Sequence, residues 1–443
     1  METKITMKEK MSYGIASGGG NIITQLLGTF LAAYLTDSVG IAAAAVGTML
    51  LVTRFIDAFS DVFMGTVVDK TSTRWGKARP WLLISAPLLL VSLTLMFSIP
   101  ASMSQGAKVV FMYLAYIFLN CICYTMFMVP HTSLLSRMTL DGHDRQKMAS
   151  INQILNQVGA LSVTTFMAVL VAKIGWTATA FIYGLATCVC ILIGFFGTKE
   201  HIDEGRKEKA ETVPLKKSVP ALGKNKYFFL LTAYFILLLG LATGPGSATY
   251  YFCNINMNNL GLLSVLSACQ LIPLMLINLV VPTLTQKFGR RICMLSGAAV
   301  SAFGSLLIGI AGTSAGLVVV GSIFKGAAQG VLFACGFAMS ADVVDYGEWK
   351  TGVRSEGLIN SCVSFGQKVG LGFGPAIATW IIAAGGYDGL APVQTASAKA
   401  AINFAFGYLG LIIALLLVLV SFFMNIDKEV PDLKEQLEAK HRA

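Results

Sequence analysis

The chain has 443 residues, of which 55% are hydrophobic and 13% are charged, and its mean hydropathy is +0.70. So few polar residues cannot cover the surface of a soluble protein of this length, so the composition excludes that class and predicts an all-α membrane protein with many spans. The net charge of +10 does not require a nucleic-acid partner, because membrane topology explains where the basic residues lie.

Apolar runs long enough to cross a bilayer recur along the whole sequence. A spanning helix needs about 20 mainly apolar residues, and twelve runs near or above this length predict twelve transmembrane helices. The first run is too long for the core of a signal peptide, so we expect it to be retained. The runs cover residues 13–36, 43–68, 80–99, 107–135, 150–172, 176–197, 227–251, 260–284, 292–312, 315–341, 357–384 and 400–424.

The second apolar run carries a stripe of charge. Arg54, Asp57 and Asp61 fall within about 60° of one another on an α-helix, so a guanidinium and two carboxylates share one face. Each charge at the bilayer centre costs about 2.5 to 3.5 kcal/mol on insertion scales, so the stripe should face a partner or a water-filled path. The pattern favours a cation site in a transporter, and an internal salt bridge from Arg54 to one aspartate is the alternative.

The longest polar stretch divides the twelve runs into six and six. We predict an N-terminal six-helix bundle with the cation site at residues 1–198, a cytoplasmic linker at 199–226, a C-terminal bundle at 227–424 and a cytoplasmic tail at 425–443. The nine cysteines lie mostly within apolar runs, and we expect them to be buried rather than to bind metal or form disulfides.

The two halves echo each other in their loops. The segment from Arg74 to Arg79 (RWGKAR), after the second run, resembles the segment from Lys287 to Arg291 (KFGRR), after the eighth. The loops after the fourth and tenth runs are also charged at a similar offset. Two six-helix halves around a central cavity form the major facilitator fold, which we therefore expect.

The basic residues predict the orientation. With the N-terminus, every second loop and the C-terminus assigned to one side, that side contains 27 of the 33 Lys and Arg residues. By the positive-inside rule both termini are cytoplasmic, and we expect the cytoplasmic (inner) membrane as the location.

Several blocks spread over both halves resemble the glycoside-pentoside-hexuronide:cation symporters, the melibiose permease branch of the major facilitator superfamily. The combination of RWGKxRPW after a helix with DxxxD, and of DYGEWKTGxRxEG later, is specific to that family. The matching blocks are Ser12 to Gly14, Tyr34 to Gly40, Arg54 to Asp61, Asp69 to Trp81, Tyr124 and Thr125 with Pro130, and Ala341 to Gly357 with Lys368.

This resemblance implies a coupling-cation site at Asp57, Asp61 and Thr125. Carboxylates on successive helical turns, with a hydroxyl from a facing helix, offer the oxygen ligands that a hard cation such as Na⁺ prefers. Ser60 stands where these symporters usually have asparagine, and its shorter side chain can still offer an oxygen. The expected coupling ion is Na⁺ or H⁺, with no other cofactor.

At the sugar-binding positions of melibiose permease, which hold charged and aromatic side chains, the aligned residues here are Asn21, Met128, Thr132 and Gln153. Charged recognition of a galactoside is therefore not expected. Amide and hydroxyl groups can still bind sugar hydroxyls, and the basic groups permit an anionic sugar such as a glucuronide. The predicted substrate-binding residues are Asn21, Gln25, Arg54, Met128, Thr132, Asn152, Gln153, Lys325 and Lys368.

Charged residues of both signs in the cytoplasmic loops predict a gate. Ion pairs between the halves would close that side and break when it opens, and exposed pairs of about 0 to 1 kcal/mol suit a switch between states of similar energy. Solvated topology signals are the alternative. The predicted gate residues are Asp69, Arg74, Arg79, Arg145, Asp345, Arg354 and Glu356.

The leading hypothesis is a monomeric carrier that moves a small carbohydrate across the lipid bilayer with a cation, by alternating access. A proton-driven carrier, an uncoupled facilitator and a carrier of lipid-like or amphiphilic molecules remain alternatives; Met128, in the apolar stretch TMFMVP, favours the last of these. HExxH and Walker A motifs are missing from the sequence, so neither an enzyme nor an ATP-driven pump is expected.

Overall fold

The structure is a computed structural model that describes residues 5–100, 102–139, 141–201, 223, 225–352 and 356–426. Helices form nearly all of this described chain. They are α1 (Met7–Thr29), α2 (Ala43–Lys70), α3 (Arg79–Met96), α4 (Gln105–Met138), α5 (Gly142–Ile174), α6 (Trp176–Gly197), α7 (Lys226–Asn256), α8 (Gly261–Phe288), α9 (Arg290–Ile310), α10 (Ala315–Thr351), α11 (Glu356–Ala384) and α12 (Ala396–Phe423).

Each of the twelve predicted apolar runs coincides with one of these helices. Within the part of the chain that the structure describes, ten helices, all except α1 and α11, are long and apolar enough to cross a membrane. After Thr29, the first run continues as a short helix, Leu31–Ala33, and a last turn, Tyr34–Ser38. Helices α4, α5 and α10 extend beyond the predicted runs into the polar ends of the segments.

The chain forms two compact units with the same helix pairing. The first unit comprises Met1–Glu208 and Tyr387–Gln394, and the second comprises Lys209–Gly386 and Thr395–Ala443. In the first, α1 packs against α5 and α6, and α3 packs against α6. In the second, α7 packs against α11 and α12, and α9 packs against α12. The loop repeat in the sequence therefore corresponds to a repeat in helix packing.

Glycine allows α1 and α5 to pack backbone against backbone. A Cβ atom at Gly159 would lie 2.4 Å from the carbonyl oxygen of Gly18, and one at Gly18 would lie 2.8 Å from the carbonyl oxygen of Leu155. Transmembrane helices approach this closely only through small residues. The contact fixes the polar residues of α5 beside those of α1.

Four helical segments of the described chain contain wide, π-type turns, in which the backbone hydrogen bonds span five residues instead of four. They are Tyr34–Ser38, Ile117–Tyr124, Phe252–Asn256 and Phe404–Tyr408. Tyr34–Ser38 ends the first helical run of the first unit, and Phe252–Asn256 ends the first helix of the second unit. The turn inside α4 changes which of its side chains face α2, and such turns are frequent at functional sites.

Candidate functional site

Helix α2 has two chemically different faces. Phe59, Val62 and Phe63 are more than 70% exposed, as expected for side chains that meet lipid. Asp57 is 9% exposed and Asp61 is half-buried. The charged stripe predicted from the sequence therefore faces protein and lies against α4.

The hydroxyl of Thr125 on α4 lies among oxygen atoms from α2. Thr125 Oγ1 is 3.4 Å from Asp57 Oδ1 and 3.2 Å from Asp61 Oδ1. It is also 3.4 Å from Ser60 Oγ, which itself donates to the carbonyl oxygen of Asp57 at 2.9 Å. Hydroxyl–carboxylate hydrogen bonds are usually about 2.5 to 2.7 Å long. The four predicted cation-site residues thus lie together, but their oxygen atoms are only loosely bonded to one another.

Asn120 is a member of this cluster that the sequence prediction missed. It is 6% exposed, and its Nδ2 lies 3.5 Å from Asp57 Oδ1. The wide turn Ile117–Tyr124 places Asn120 in the cluster, because backbone hydrogen bonds that span five residues bring Thr125 over Asn120. Thr125 Oγ1 accordingly lies 3.4 Å from the Asn120 carbonyl oxygen. In a regular α-helix, two residues five apart lie about 140° from each other.

Arg54 supplies the positive charge of the cluster. Its Nη1 is 3.8 Å from Asp57 Oδ2, at the long limit of an ion pair, with the two side chains 23% and 12% exposed. With both carboxylates ionised, Arg54, Asp57 and Asp61 together carry one net negative charge. Among the described residues, no group of three or more His, Cys, Asp or Glu side chains can hold a metal, so a cation here would also need hydroxyl or amide oxygens.

The predicted sugar-binding residues of α1 and α4 have local partners. Asn21 Nδ2 donates to the carbonyl oxygen of Asn156 at 2.6 Å, and Gln25 Nε2 donates to Thr29 Oγ1 at 2.9 Å. Thr132 Oγ1 donates to its own helix, 3.1 Å from the Met128 carbonyl oxygen. These polar groups are held in place by α1, α4 and α5.

Helix α5 contributes more amides than the sequence prediction named. The predicted residues Asn152 and Gln153 are half-buried and exposed, respectively, and Asn156 lies one turn further along the helix. The buried Oδ1 atoms of Asn152 and Asn156 have no hydrogen-bond partner among the described residues. An amide oxygen in this state can accept a hydrogen bond from a hydroxyl group of a ligand.

In the second unit, the predicted binding residues lie in different surroundings. Lys325 is 3% exposed, and its Nζ lies 5.7 Å from the centre of the Phe406 ring. One turn further, Gln329 Oε1 accepts a hydrogen bond of 2.9 Å from Gln270 on α8. Lys368 is half-buried on α11, about 160° around the helix from Gly370, which packs against α7. Lys325 is thus packed inside the second unit, whereas Lys368 lies away from the contact between α11 and α7.

Two predicted gate residues form contacts at the ends of α2 and α4. Asp69 Oδ1 accepts a hydrogen bond of 3.3 Å from Arg137, and the Asp69 side chain is 73% exposed. Arg145 Nε donates to the carbonyl oxygen of Thr139 at 2.8 Å. Both contacts lie within the first unit.

Arg74 and Arg79 also interact within the first unit. Arg79 Nη2 donates to the carbonyl oxygen of Phe195 at 2.8 Å, and Arg74 lies over the ring of Trp75 at 4.6 Å. The carboxylate of Glu200 accepts hydrogen bonds from three successive backbone N–H groups at the start of α3, at 2.9 to 3.1 Å. An acid at this helix N-terminus is also favoured by the helix dipole.

The second unit also contains an ion pair. Arg290, at the start of α9, pairs with Asp342 near the end of α10. The predicted gate residue Asp345 is half-buried on α10. Arg354 and the side chain of Glu356 lie outside the described residues.

Comparison with known proteins gives matches along almost the whole chain. The model of a family described as MFS/sugar transport protein matches residues 12–428. The chain is 34% identical to the isoprimeverose transporter of Lactiplantibacillus pentosus, over 99% of this chain and 92% of that protein. It is 30% identical to the glucuronide carrier protein homolog of Escherichia coli, over 87% and 86%. It is 28% identical to the inner membrane symporter YicJ of the same organism, over 89% and 86%.

Solved structures share the fold at much lower sequence identity. The nucleoside transporter NupG matches with a TM-score of 0.66 and 13% identity, over 96% of this chain and 100% of that chain. A bacterial homolog of the human lysosomal transporter Spinster matches with a TM-score of 0.64 and 13% identity, over 94% and 95%. At this identity the likeness establishes the fold alone.

Proposed function

Because this chain belongs to the family of MFS/sugar transport proteins, we propose that it moves a small carbohydrate together with a cation. The chain is a multi-pass sugar transporter of the major facilitator superfamily and not an enzyme. Sugar and Na⁺ or H⁺ then move together into the cell, across the cytoplasmic membrane and by alternating access. Both termini are then cytoplasmic, as the Lys and Arg distribution indicates.

The observation that carries this proposal is the spacing of oxygen atoms around Thr125. For a cation with oxygen ligands about 2.4 Å away, as around Ca²⁺, two ligands at right angles lie about 3.4 Å apart. Thr125 Oγ1 lies 3.2 to 3.4 Å from one oxygen each of Asp57, Asp61 and Ser60. These distances suit neighbouring ligands of one cation better than they suit hydrogen bonds between the same groups.

Charge couples the two substrates in this proposal. The cluster of Arg54, Asp57 and Asp61 carries one net negative charge when both acids are ionised, and one Na⁺ or one proton neutralises it. The neutral cluster then favours the conformation that binds sugar. Because coupling between two binding sites is reciprocal, sugar raises the affinity for the cation by the same factor.

The amide groups of α1 and α5 are the proposed sugar-binding groups. Asn21, Gln25, Asn152 and Gln153 offer both donors and acceptors, as sugar hydroxyls do. The unpartnered buried Oδ1 atoms of Asn152 and Asn156 support this assignment, because a bound hydroxyl would supply the missing hydrogen bonds. Thr132 and Met128 border the same region from α4.

The substrate class comes from the relatives together with these residues. One relative is named an isoprimeverose transporter and another a glucuronide carrier homolog, so a glycoside, pentoside or hexuronide is proposed. Arg54 and Lys368 are the cationic groups that would meet the carboxylate of a hexuronide, since Lys325 is packed against Phe406 inside the second unit. The neutral amides would bind the sugar ring in either case.

The charged loop residues are the proposed cytoplasmic gate. Asp69 forms an exposed ion pair within the first unit, and Arg74, Arg79 and Arg145 contact a ring or backbone carbonyl oxygens there. Because an exposed ion pair contributes only about 0 to 1 kcal/mol, these charged groups can take other partners at little cost. Asp345, with Arg354 and Glu356, would be their counterpart in the second unit. Transport then alternates between two sets of pairs of similar energy.

Uptake into proteoliposomes tests the proposed function. Labelled glycosides, pentosides and glucuronides are offered with a Na⁺ gradient or a pH gradient imposed separately. Accumulation of one sugar against its gradient, driven by either cation, supports the proposal. Equilibration without accumulation indicates an uncoupled facilitator. No transport of any sugar rejects the proposed sugar site and directs the same assay to amphiphilic substrates.

A further inference from the structure

Three side-chain contacts join α1, which carries the proposed sugar-binding residues Asn21 and Gln25, to α4, which carries Thr125 of the cation cluster. The contact nearest the cluster is a hydrogen bond of 2.9 Å that Thr24 Oγ1 donates to Tyr124 Oη. Neither the family match nor the names of the relatives assign these two residues a role. We propose that Tyr124 is a positioning residue that couples cation binding to sugar binding through its hydrogen bond with Thr24. This inference rests on the cation and sugar sites of the proposed function.

The three contacts follow one face of each helix. In order along the two helices, they pair Thr24 with Tyr124, Gly20 with Phe127, and Tyr13 with His131. At 100° per residue, the three positions on each helix fall within about 60° of one another. These residues therefore form one continuous row of contacts, the α1–α4 seam, along which the two helices run antiparallel.

The rest of the α1–α4 seam is tightly packed. A Cβ atom at Gly20 would lie 2.3 Å from Phe127 Cε1. The rings of Tyr13 and His131 stack with their centroids 4.2 Å apart, and His131 Nε2 lies 3.0 Å from the Tyr13 carbonyl oxygen. Because closely packed side chains transmit a shift instead of absorbing it, a displacement of α4 along this seam also displaces α1.

Tyr124 is placed to respond to the cation. It is the last residue of the wide turn Ile117–Tyr124 and directly precedes Thr125. The Thr125 hydroxyl lies 3.2 to 3.4 Å from three side-chain oxygen atoms of α2, and a bound cation would hold these oxygens as neighbouring ligands. Because Tyr124 shares a peptide bond with Thr125, a cation that fixes Thr125 against α2 also fixes the backbone of Tyr124.

The same hydrogen bond reaches the proposed sugar-binding residues. Gln25 directly follows Thr24, and Asn21 lies three residues earlier, about 60° around α1. Tyr124 Oη also lies 3.9 Å from the Sδ atom of Met128, one turn further along α4. With the bond in place, cation and sugar favour the same arrangement of α1 and α4. Each ligand then raises the affinity for the other by the same factor.

Equilibrium binding to the purified protein measures this coupling factor. It is the dissociation constant of a labelled sugar without the coupling cation, divided by the constant at saturating cation. The probe is labelled isoprimeverose, or a labelled glucuronide if the wild type binds only that sugar, with Na⁺ or, where uptake is proton-driven, H⁺. Tyr124→Phe and Thr24→Val each remove one hydroxyl and preserve side-chain size, and the double variant removes both. Tyr183→Phe is the matched control, because its hydroxyl donates to the Ser162 carbonyl oxygen at 2.9 Å, between α6 and α5 and away from the seam.

Tyr124→Phe should lower the coupling factor about three- to tenfold, the effect of losing one hydrogen bond. Thr24→Val should lower it equally, and the double variant should lower it no further, because both substitutions remove the same bond. In all three variants, the sugar constant without cation and the cation constant without sugar should stay within about twofold of wild type. Tyr183→Phe should keep the wild-type coupling factor.

A coupling factor within twofold of wild type in both single variants would overturn the inference and leave the proposed function standing. Equal weakening of sugar binding with and without the cation would also overturn it, because Tyr124 would then bind the sugar directly. Losses that add in the double variant would show that the two hydroxyls act separately, against the inference. A wild type whose sugar affinity depends on neither cation rejects the proposed coupled transport as well. If Tyr124→Phe does not assemble, Thr24→Val is judged against the same criteria.

Discussion

Replacing Asp57 with asparagine removes one charge from the cation cluster and preserves the shape of the side chain. Two unit charges about 4 Å apart interact by about 4 kcal/mol at an effective dielectric constant near 20, and each 1.4 kcal/mol is about a tenfold change in affinity. The substitution also leaves Arg54, which lies 3.8 Å from Asp57 Oδ2, without this carboxylate. We expect the half-activating cation concentration to rise at least about a hundredfold, which abolishes accumulation under ordinary gradients.

Initial uptake rates measured against Na⁺ and against pH provide the constants, and equilibrium sugar exchange reports whether the variant is folded. Asp388→Asn is the matched control, because Asp388 is an exposed carboxylate that belongs neither to the cation cluster nor to the proposed gate. It should change the cation constant by less than about twofold. A folded Asp57→Asn protein with a cation constant within tenfold of wild type would refute the electrostatic reasoning.

Three further substitutions test other contacts. Thr125→Ala should raise the half-activating cation concentration about tenfold, whereas Thr66→Ala, on the exposed side of α2, should have no effect; equal constants for the two would contradict the role of the Thr125 hydroxyl. Gly159→Ala should lower the free energy of unfolding by roughly 1 to 3 kcal/mol, because its Cβ would lie 2.4 Å from a carbonyl oxygen. The effect is measured as a lower unfolding temperature in detergent, and Gly28→Ala is the control, because its Cβ would meet nothing within 4 Å. Asn152→Ala should raise the sugar KM by about two- to tenfold without changing the cation constant, and an unchanged KM would exclude this amide from the sugar site.

The twelve helices and the repeated halves could be predicted because a bilayer imposes long apolar segments and a bias in loop charge. The charged face of α2 could be predicted for the same reason, since ionisable residues are conspicuous within such a segment. Helix α2 is also regular, so positions computed at 100° per residue place Arg54, Asp57 and Asp61 on one face.

Asn120 could not be predicted by that reasoning. A regular helix would direct it about 140° away from Thr125, and only the wide turn Ile117–Tyr124 brings both residues toward α2. The turn has no recognised signature in single-sequence propensities. Asn120 is the only asparagine within the fourth apolar run, and a polar residue in a spanning helix was the one signal that could have marked it.

Other contacts depend on tertiary packing that the sequence does not specify. The role of Asn156 follows from the close approach of α1 and α5, where Asn21 donates to its carbonyl oxygen. The burial of Lys325 follows from its position against Phe406 of α12, which lies 81 residues further along the chain. A pattern read within one helix cannot identify a partner on another helix.

Coupled transport is tested most directly by following the cation when sugar is added. Proteoliposomes containing the wild type or Asp57→Asn are held without any imposed gradient, and the movement of Na⁺ and of protons is recorded after a transported sugar is added outside. Sugar is expected to drive Na⁺ or protons inward through the wild type, and Asp57→Asn should abolish this flux. Sugar that equilibrates through the wild type without moving either cation would contradict coupled transport.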